Sequence, residues 1–304
     1  SLASMLLTQR RIFILRPQTK GFLFATLGSL SAALFFVPYK KALETTDPQT
    51  YLLAVYIIGF LFSLVGSVTK KNTIKINKTT LWGALLFAVL SVVGNYAIGR
   101  SMEGIDPSVT VLITRTQVIM VLFMGWLFLR EEMVKFLIPG ALTAFVGFFL
   151  MSYNENFTLG GELAFYLWAV MAALCFGVSQ VVLKSIIHQI EPVTLNFLRL
   201  LMGCAFIAFI PGVMAEIVKI GADIWGYAVA SAFFGPLISR LSYMYSVRYI
   251  PVSQSTLFIM LSPVFTAIMS WGFLGLFPTV QQMIGGAVVM LGILMPVIYL
   301  LRKR

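Results

Sequence analysis

The second half of this chain repeats the first. Laid without a gap over Ile250–Gly292, the segment Ile105–Gly147 puts Ser108 on Ser253, Trp126 on Trp271, Gly140 on Gly285 and Gly147 on Gly292. Upstream the match is looser. Ala32-Ala33-Leu34 and Phe36 face Ala172-Ala173-Leu174 and Phe176, while Asp47-Pro48 and Thr50 face Glu191-Pro192 and Thr194. If the unit crosses a membrane an odd number of times, its two copies sit in opposite orientations. Inverted copies share a pseudo-two-fold axis in the membrane plane, with a common cavity near the midplane.

Composition makes the membrane the solvent. Hydrophobic residues are 59% of the chain and charged residues 11%, with a mean hydropathy of +0.93. Apolar stretches recur along the length, each near the roughly 20 residues that cross a hydrocarbon core as a helix. A backbone in lipid must satisfy its own hydrogen bonds, so it forms helices or a closed barrel. Long continuous apolar runs exclude the alternating pattern of a barrel. The expected spans are 21–42, 49–69, 80–100, 107–129, 134–153, 162–184, 192–214, 223–246, 252–275 and 281–301. The fold expected is all-α and integral to the membrane, ten transmembrane helices forming two inverted five-helix repeats. Residues 1–20 form an N-terminal segment, 21–153 the first repeat and 162–301 the second.

The net charge of +11 would suggest nucleic acid as partner in a soluble protein, but its distribution points to lipid instead. One set of inter-helix segments and ends carries Arg10, Arg11, Arg16, Lys20, Lys70, Lys71, Lys75, Lys78, Arg130, Lys135, Lys184, Arg248, Arg302, Lys303 and Arg304. The alternate set carries only Lys40, Lys41, Arg100 and Lys219. The positive-inside rule then puts both termini in the cytoplasm. A bacterial inner (plasma) membrane is the expected location, and a monomer or weak dimer the expected assembly.

Little points to chemistry of the covalent kind. Cys175 and Cys204 fall within spans with no CxxC spacing, and the lone His188 has no ligand partner. No HExxH, Walker loop or GxSxG elbow occurs. No metal, cofactor or catalysis is expected.

The informative residues are the polar groups inside spans. Arg115, Arg199 and Arg240 lie within the fourth, seventh and eighth. An arginine at depth costs about 2.5–3.5 kcal/mol on insertion scales, so it faces a partner or a wet cavity. Arg199 is near enough to a helix end to snorkel. Arg240 matches Asn95 through the repeat and Lys40 matches Gln180, so polar residues take corresponding places on the third and eighth helices and on the first and sixth. Tyr96 and Tyr243 flank Asn95 and Arg240 and carry hydroxyls that need partners. Arg115, Arg240, Arg199, Asn95, Tyr96, Tyr243, Lys40 and Gln180 are the candidate substrate-binding set. Pro38, Pro139, Pro236 and Pro263 fall inside spans, where proline removes a backbone bond and kinks the helix.

Ten helices in two halves, with Ser31-Ala32-Ala33-Leu34-Phe35-Phe36-Val37-Pro38-Tyr39-Lys40, Asn196-Phe197-Leu198-Arg199 and Leu261-Ser262-Pro263-Val264-Phe265, resemble the EamA-type family of the drug/metabolite transporter superfamily. The family's helix-end acid shows as Leu129-Arg130-Glu131-Glu132 in the first half but is missing from Leu274-Gly275-Leu276-Phe277 in the second. The first half also lacks the fourth-helix proline. The resemblance implies a central cavity lined by the first, third, fourth, sixth, eighth and ninth helices. It implies a secondary transporter, exporter or facilitator, of a small polar metabolite by alternating access. Because the intramembrane ionisable residues are basic, an anionic or zwitterionic substrate is expected: an amino acid, an organic anion or a nucleotide-like compound. The rival readings are multidrug efflux and a non-transporting membrane protein, such as a lipid scramblase or assembly factor on this scaffold.

Overall fold

The computed structural model describes residues 17–69, 77–105, 107–153, 162–275 and 277–302. The basic groups at 10–16, 70–75 and 303–304 lie outside these, as does Leu276. Among the described residues there are ten long helical spans and no strands.

The first repeat holds α1 (Pro17–Ala42), α2 (Pro48–Thr69), α3 (Lys78–Met102), α4 (Pro107–Arg115 continued by Gln117–Leu129) and α5 (Leu137–Ser152). The second holds α6 (Leu163–Ile186), α7 (Pro192–Ala208), α8 (Ala222–Ala232, Phe233–Ser239 and Arg240–Tyr249), α9 (Val252–Phe258, Ile259–Leu261 and Ser262–Leu274) and α10 (Val280–Arg302). Seven of these spans are long and apolar enough to cross a bilayer unaided, while α5 and α7 are shorter and α8 is broken.

Local sequence explains the ends. Proline opens α2 and α7 as Pro48 and Pro192, where its missing N–H had no partner in any case. Asp47 caps α2 by accepting from the N–H groups of Gln49 at 2.9 Å and Thr50 at 3.1 Å. Helices α4 and α9 stop at matching positions with a left-handed residue, Arg130 (φ 53°) and Gly275 (φ 67°). The expected span 192–214 ends early at Ala208. Its apolar run continues because Val213–Ile217 forms a short separate helix whose Val213 and Ile217 are buried against α2.

The broken helices break where the repeat says they correspond. Helix α4 is interrupted at Thr116 and α9 at Ile259–Leu261, and Arg115 is the repeat mate of Met260. In α9 Pro263 follows the break. In α4, which has no proline near its break, Thr114 and Thr116 hydroxyls donate to the carbonyls of Thr110 (2.5 Å) and Ile113 (2.6 Å). Such side-chain back-bonding bends helices. Pro139 removes no intrahelical bond, because it sits in the first turn of α5, where N–H groups lack intrahelical partners. Pro236 has the largest effect. It cannot donate to the preceding turn, and Phe233–Ser239 widens into a π segment, a form frequent at functional sites.

The packing obeys the inversion. Helix α1 lies on α8 as α6 lies on α3, and α1 meets α9 as α6 meets α4. Helix α2 touches α8 as α7 touches α3, while α2 with α7 and α5 with α10 pair across the axis. Hydrogen bonds repeat as well. Ser101 and Thr110 hydroxyls pair at 2.9 Å between α3 and α4, and their mates Ser246 and Ser255 pair at 2.9 Å between α8 and α9. Trp126 and Trp271 both face outward, among many large apolar side chains that a lipid environment would cover.

Candidate functional site

Helices α1–α4 and α6–α9 enclose a cavity of about 330 Å³, a size typical of small-molecule sites. Its walls are largely apolar, with Ala32, Phe35, Phe36, Leu52 and Phe176 among them. Ser29, Ser91, Ser239, Ser255 and Ser262 supply hydroxyls, and Arg115, Arg199 and Arg240 supply three cations. Among the described residues no carboxylate lines it. The family resemblance implied six lining helices. The structure adds α2, through Leu52, Val55 and Tyr56, and α7, through Arg199.

Each arginine is presented by a local irregularity. Arg115 is the last residue before the break in α4. Its guanidinium donates to the Ser262 hydroxyl at 3.3 Å and lies 5.6 Å from the ring centre of Phe148. Arg240 sits where the π segment returns to α-helix. Its guanidinium packs 5.2 Å from the Phe87 ring and 5.7 Å from Tyr243, and its Nε is buried with no hydrogen-bond partner among the described residues. Arg199 does not snorkel. It is 6% exposed, donates to the Asn196 side-chain oxygen from Nε (3.3 Å) and from a terminal nitrogen (3.0 Å), and covers the Tyr56 ring at 5.7 Å. Asn196 can hold Arg199 because its own amide is anchored: it donates to the Ser63 hydroxyl at 3.0 Å and to the Pro236 carbonyl at 2.9 Å.

Five of the eight residues singled out in the sequence line this one cavity: Arg115, Arg199, Arg240, Asn95 and Tyr243. Asn95 donates to the Tyr56 hydroxyl at 3.0 Å and to the Ser91 carbonyl at 2.8 Å. Tyr243 pairs with the Thr256 hydroxyl at 2.9 Å beneath Arg240. The other three lie elsewhere. Tyr96, one residue and about 100° of helix beyond Asn95, packs edge-on against Trp168 and Phe206. Lys40 is exposed in the last turn of α1. Gln180 is buried off the cavity, with its side-chain oxygen unpaired among the described residues. Sequence reasoning passed over Tyr56, which joins Asn95 to Arg199. A phenol inside the apolar run Leu53-Ala54-Val55-Tyr56-Ile57 was the available signal.

Outside the cavity, His188 lies exposed between α6 and α7, with partial burial and the nearby Lys184 and Arg248 pushing its pKa down. Among the described residues no group of His, Cys, Asp and Glu could hold a metal ion.

A profile of the EamA-like transporter family matches residues 19–153 and 163–298. The uncharacterized transporter YyaM of Bacillus subtilis (strain 168) is 23% identical over 291 residues, covering 90% of both chains. The uncharacterized transporter YxxF of the same organism is 22% identical over 244 residues, 79% of this chain and 76% of the relative. A crystal structure at 15% identity superposes with a TM-score of 0.74, covering 92% of this chain and 98% of the other. That likeness concerns the fold alone.

Proposed function

The chain belongs to the EamA-like transporter family, and from that premise we propose that it moves a small metabolite bearing a carboxylate or phosphate across a bacterial plasma membrane by alternating access. The observation carrying the substrate class is the cavity: three guanidiniums, largely apolar walls and, among the described residues, no carboxylate. Cations held away from water are costly unless paired. A bound acidic group offsets that cost through charge-assisted hydrogen bonds, roughly twice as strong as neutral ones. Amino acids, organic anions and nucleotide-like compounds fit this description. Cation–proton exchange fits less well, because it needs an acidic group in the site. Mid-bundle arginines, enclosed by eight helices, support transport of a soluble compound over handling of lipid headgroups. The substrate and the surrounding lipid are the proposed partners, and the protein acts as a monomer or weak dimer.

The test is thermal unfolding of purified protein across a panel of metabolites. A ligand that binds the folded state stabilises it by RT ln(1 + [L]/Kd), about 2.7 kcal/mol at a hundredfold excess over Kd. Acidic compounds are expected to raise the melting temperature, and their amide or alcohol analogues to leave it unchanged. Equal shifts from neutral analogues would remove the anion site from the proposal.

The proposed topology has its own check. Reporter fusions after Arg304 and after Lys75 are expected to read cytoplasmic, and one inserted at 154–156 external. An external reading after Arg304 contradicts the orientation assigned from charge.

A further inference from the structure

The two-fold symmetry of the packing fails at one place. The Gln117–Leu129 part of α4 packs on Val252–Phe258 at the start of α9. The mirror contact, Pro107–Arg115 at the start of α4 against Ser262–Leu274 at the end of α9, is not made to any comparable extent among the described residues. Helices α4 and α9 are thus closed together on the face holding the α4–α5 and α8–α9 connections and apart on the opposite face. The cavity reaches toward that opposite face through Phe35, Phe36 and Leu52, near the end of α1 and the start of α2.

At this contact the side chain of Glu131 bridges α4 and α9. After the left-handed turn at Arg130, the N–H of Glu131 donates to the Gly125 carbonyl at 3.1 Å, turning its carboxylate across to the second half. There Oε1 accepts from the Val252 N–H at 2.7 Å. Oε2 accepts from the Ser253 N–H at 3.2 Å and from the Ser253 hydroxyl at 2.6 Å. Gly125 leaves room for this approach, since a Cβ there would stand 3.0 Å from Oε2. The repeat supplies the comparison. Arg130 and Gly275 are mates with the same left-handed backbone, and Ser253 has its mate in Ser108, but Glu131 is matched by Leu276 and Val252 by Pro107. Leucine offers no acceptor and proline no N–H. The chemistry of the bridge is present in one copy only.

We infer that Glu131 is a one-sided latch. Inverted repeats change access by exchanging conformations between their halves, so the mirror state would close the end of α9 over the start of α4. The present state keeps three hydrogen bonds to a carboxylate that the mirror state lacks, and the latch biases the resting population toward this state. Hydrogen bonds to charged groups are among the stronger ones in proteins. This inference rests on the alternating-access reading, but its readout is conformational and needs no substrate.

The experiment measures paired spin-label distances on the full chain, with Cys175 and Cys204 replaced by alanine. One pair sits at the closed face, at Lys135 and Tyr249, and one at the open face, at Glu103 and Val280; all four positions are exposed. In Glu131→Gln the ratio of separated to closed populations at the first pair is expected to rise about tenfold or more, with a matching shortening at the second. Ser253→Ala, which removes one of the three bonds, is expected to move both pairs the same way by less. Should the glutamine variant not fold, Glu131→Asp keeps the charge, shortens the reach and tests the same shift. Unchanged distances in folded variants overturn the latch, and so does a lowered melting temperature without redistribution, which makes Glu131 a helix cap only. A shift that persists although no acidic compound is transported keeps the latch and removes the substrate assignment.

Discussion

Arg240→Ala is expected to abolish transport in liposomes while leaving the protein as stable as the parent. The usual cost of removing a buried charged side chain is an orphaned partner. Arg240 leaves none: its guanidinium packs on Phe87 and Tyr243, and its Nε has no acceptor among the described residues. Alanine therefore removes a desolvated cation and loses mainly ring contacts, each about 0.5–2 kcal/mol. Transport loses more. Two charge-assisted hydrogen bonds to a bound acid, at about 1.5–3 kcal/mol each, correspond to a loss of roughly a hundredfold or more. Arg240→Lys keeps the charge without the planar fork and should restore part of the activity. Arg115→Ala should behave alike, because its one hydrogen bond among the described residues, to Ser262, is long at 3.3 Å. Arg199→Ala differs: it leaves the buried side-chain oxygen of Asn196 without its donor, which costs about 1–3 kcal/mol of stability. Measuring uptake per folded molecule separates the cases. Normal specific activity in both Arg240→Ala and Arg115→Ala would end the anion-site reading.

The helical architecture was legible because it is written in long-range patterns. Hydropathy marks the spans, and the gapless match of Ile105–Gly147 to Ile250–Gly292 implies the inverted packing of α1 on α8 and of α6 on α3. Boundaries were less legible where tertiary contact overrides hydropathy. The run after Ala208 is as apolar as a span, yet Val213–Ile217 buries itself against α2 instead. The cavity was half legible. Charged side chains within spans are conspicuous, and all three arginines line it. Residue type does not reveal which side of a helix faces the cavity, so Asn95 lines it and adjacent Tyr96 does not. Tyr56 and the serines were hidden because a single hydroxyl in an apolar run looks the same whether it packs, back-bonds or meets a ligand. Glu131 shows the same limit. The sequence displays an acid in one repeat and leucine in the other, and only the geometry shows it reaching Val252 and Ser253.

Gly147→Ala is expected to destabilise the protein more than an ordinary surface or single-methyl change, through the seam between α5 and α10. This pair crosses on the pseudo-two-fold axis, so the seam uses each repeat-matched glycine twice: Gly147 faces Gly285, and Gly140 faces Gly292. A Cβ on Gly147 would stand 2.5 Å from the Val289 nitrogen and 2.7 Å from the Gly285 carbonyl oxygen. One on Gly292 would stand 2.5 Å from the Ala144 nitrogen. These obstacles are backbone atoms, which cannot rotate away as a side-chain tip can, so the helices must separate along their length. Small residues at such crossings are what lets membrane helices approach and gain dispersion contacts. Overpacking typically costs about 1–3 kcal/mol, and the backbone nature of these contacts puts the expected loss at the upper end. Gly226→Ala is the control. It lies in α8 with nothing within 4 Å of the added Cβ, so the gain in helix propensity, about 0.5–1 kcal/mol, should appear unopposed. Gly147→Ala and Gly285→Ala meet at one contact, so the double variant should lose less than the sum of the singles. Thermal unfolding in detergent measures all four. A Gly147→Ala protein that melts with the parent would show that α5 and α10 do not cross at this distance.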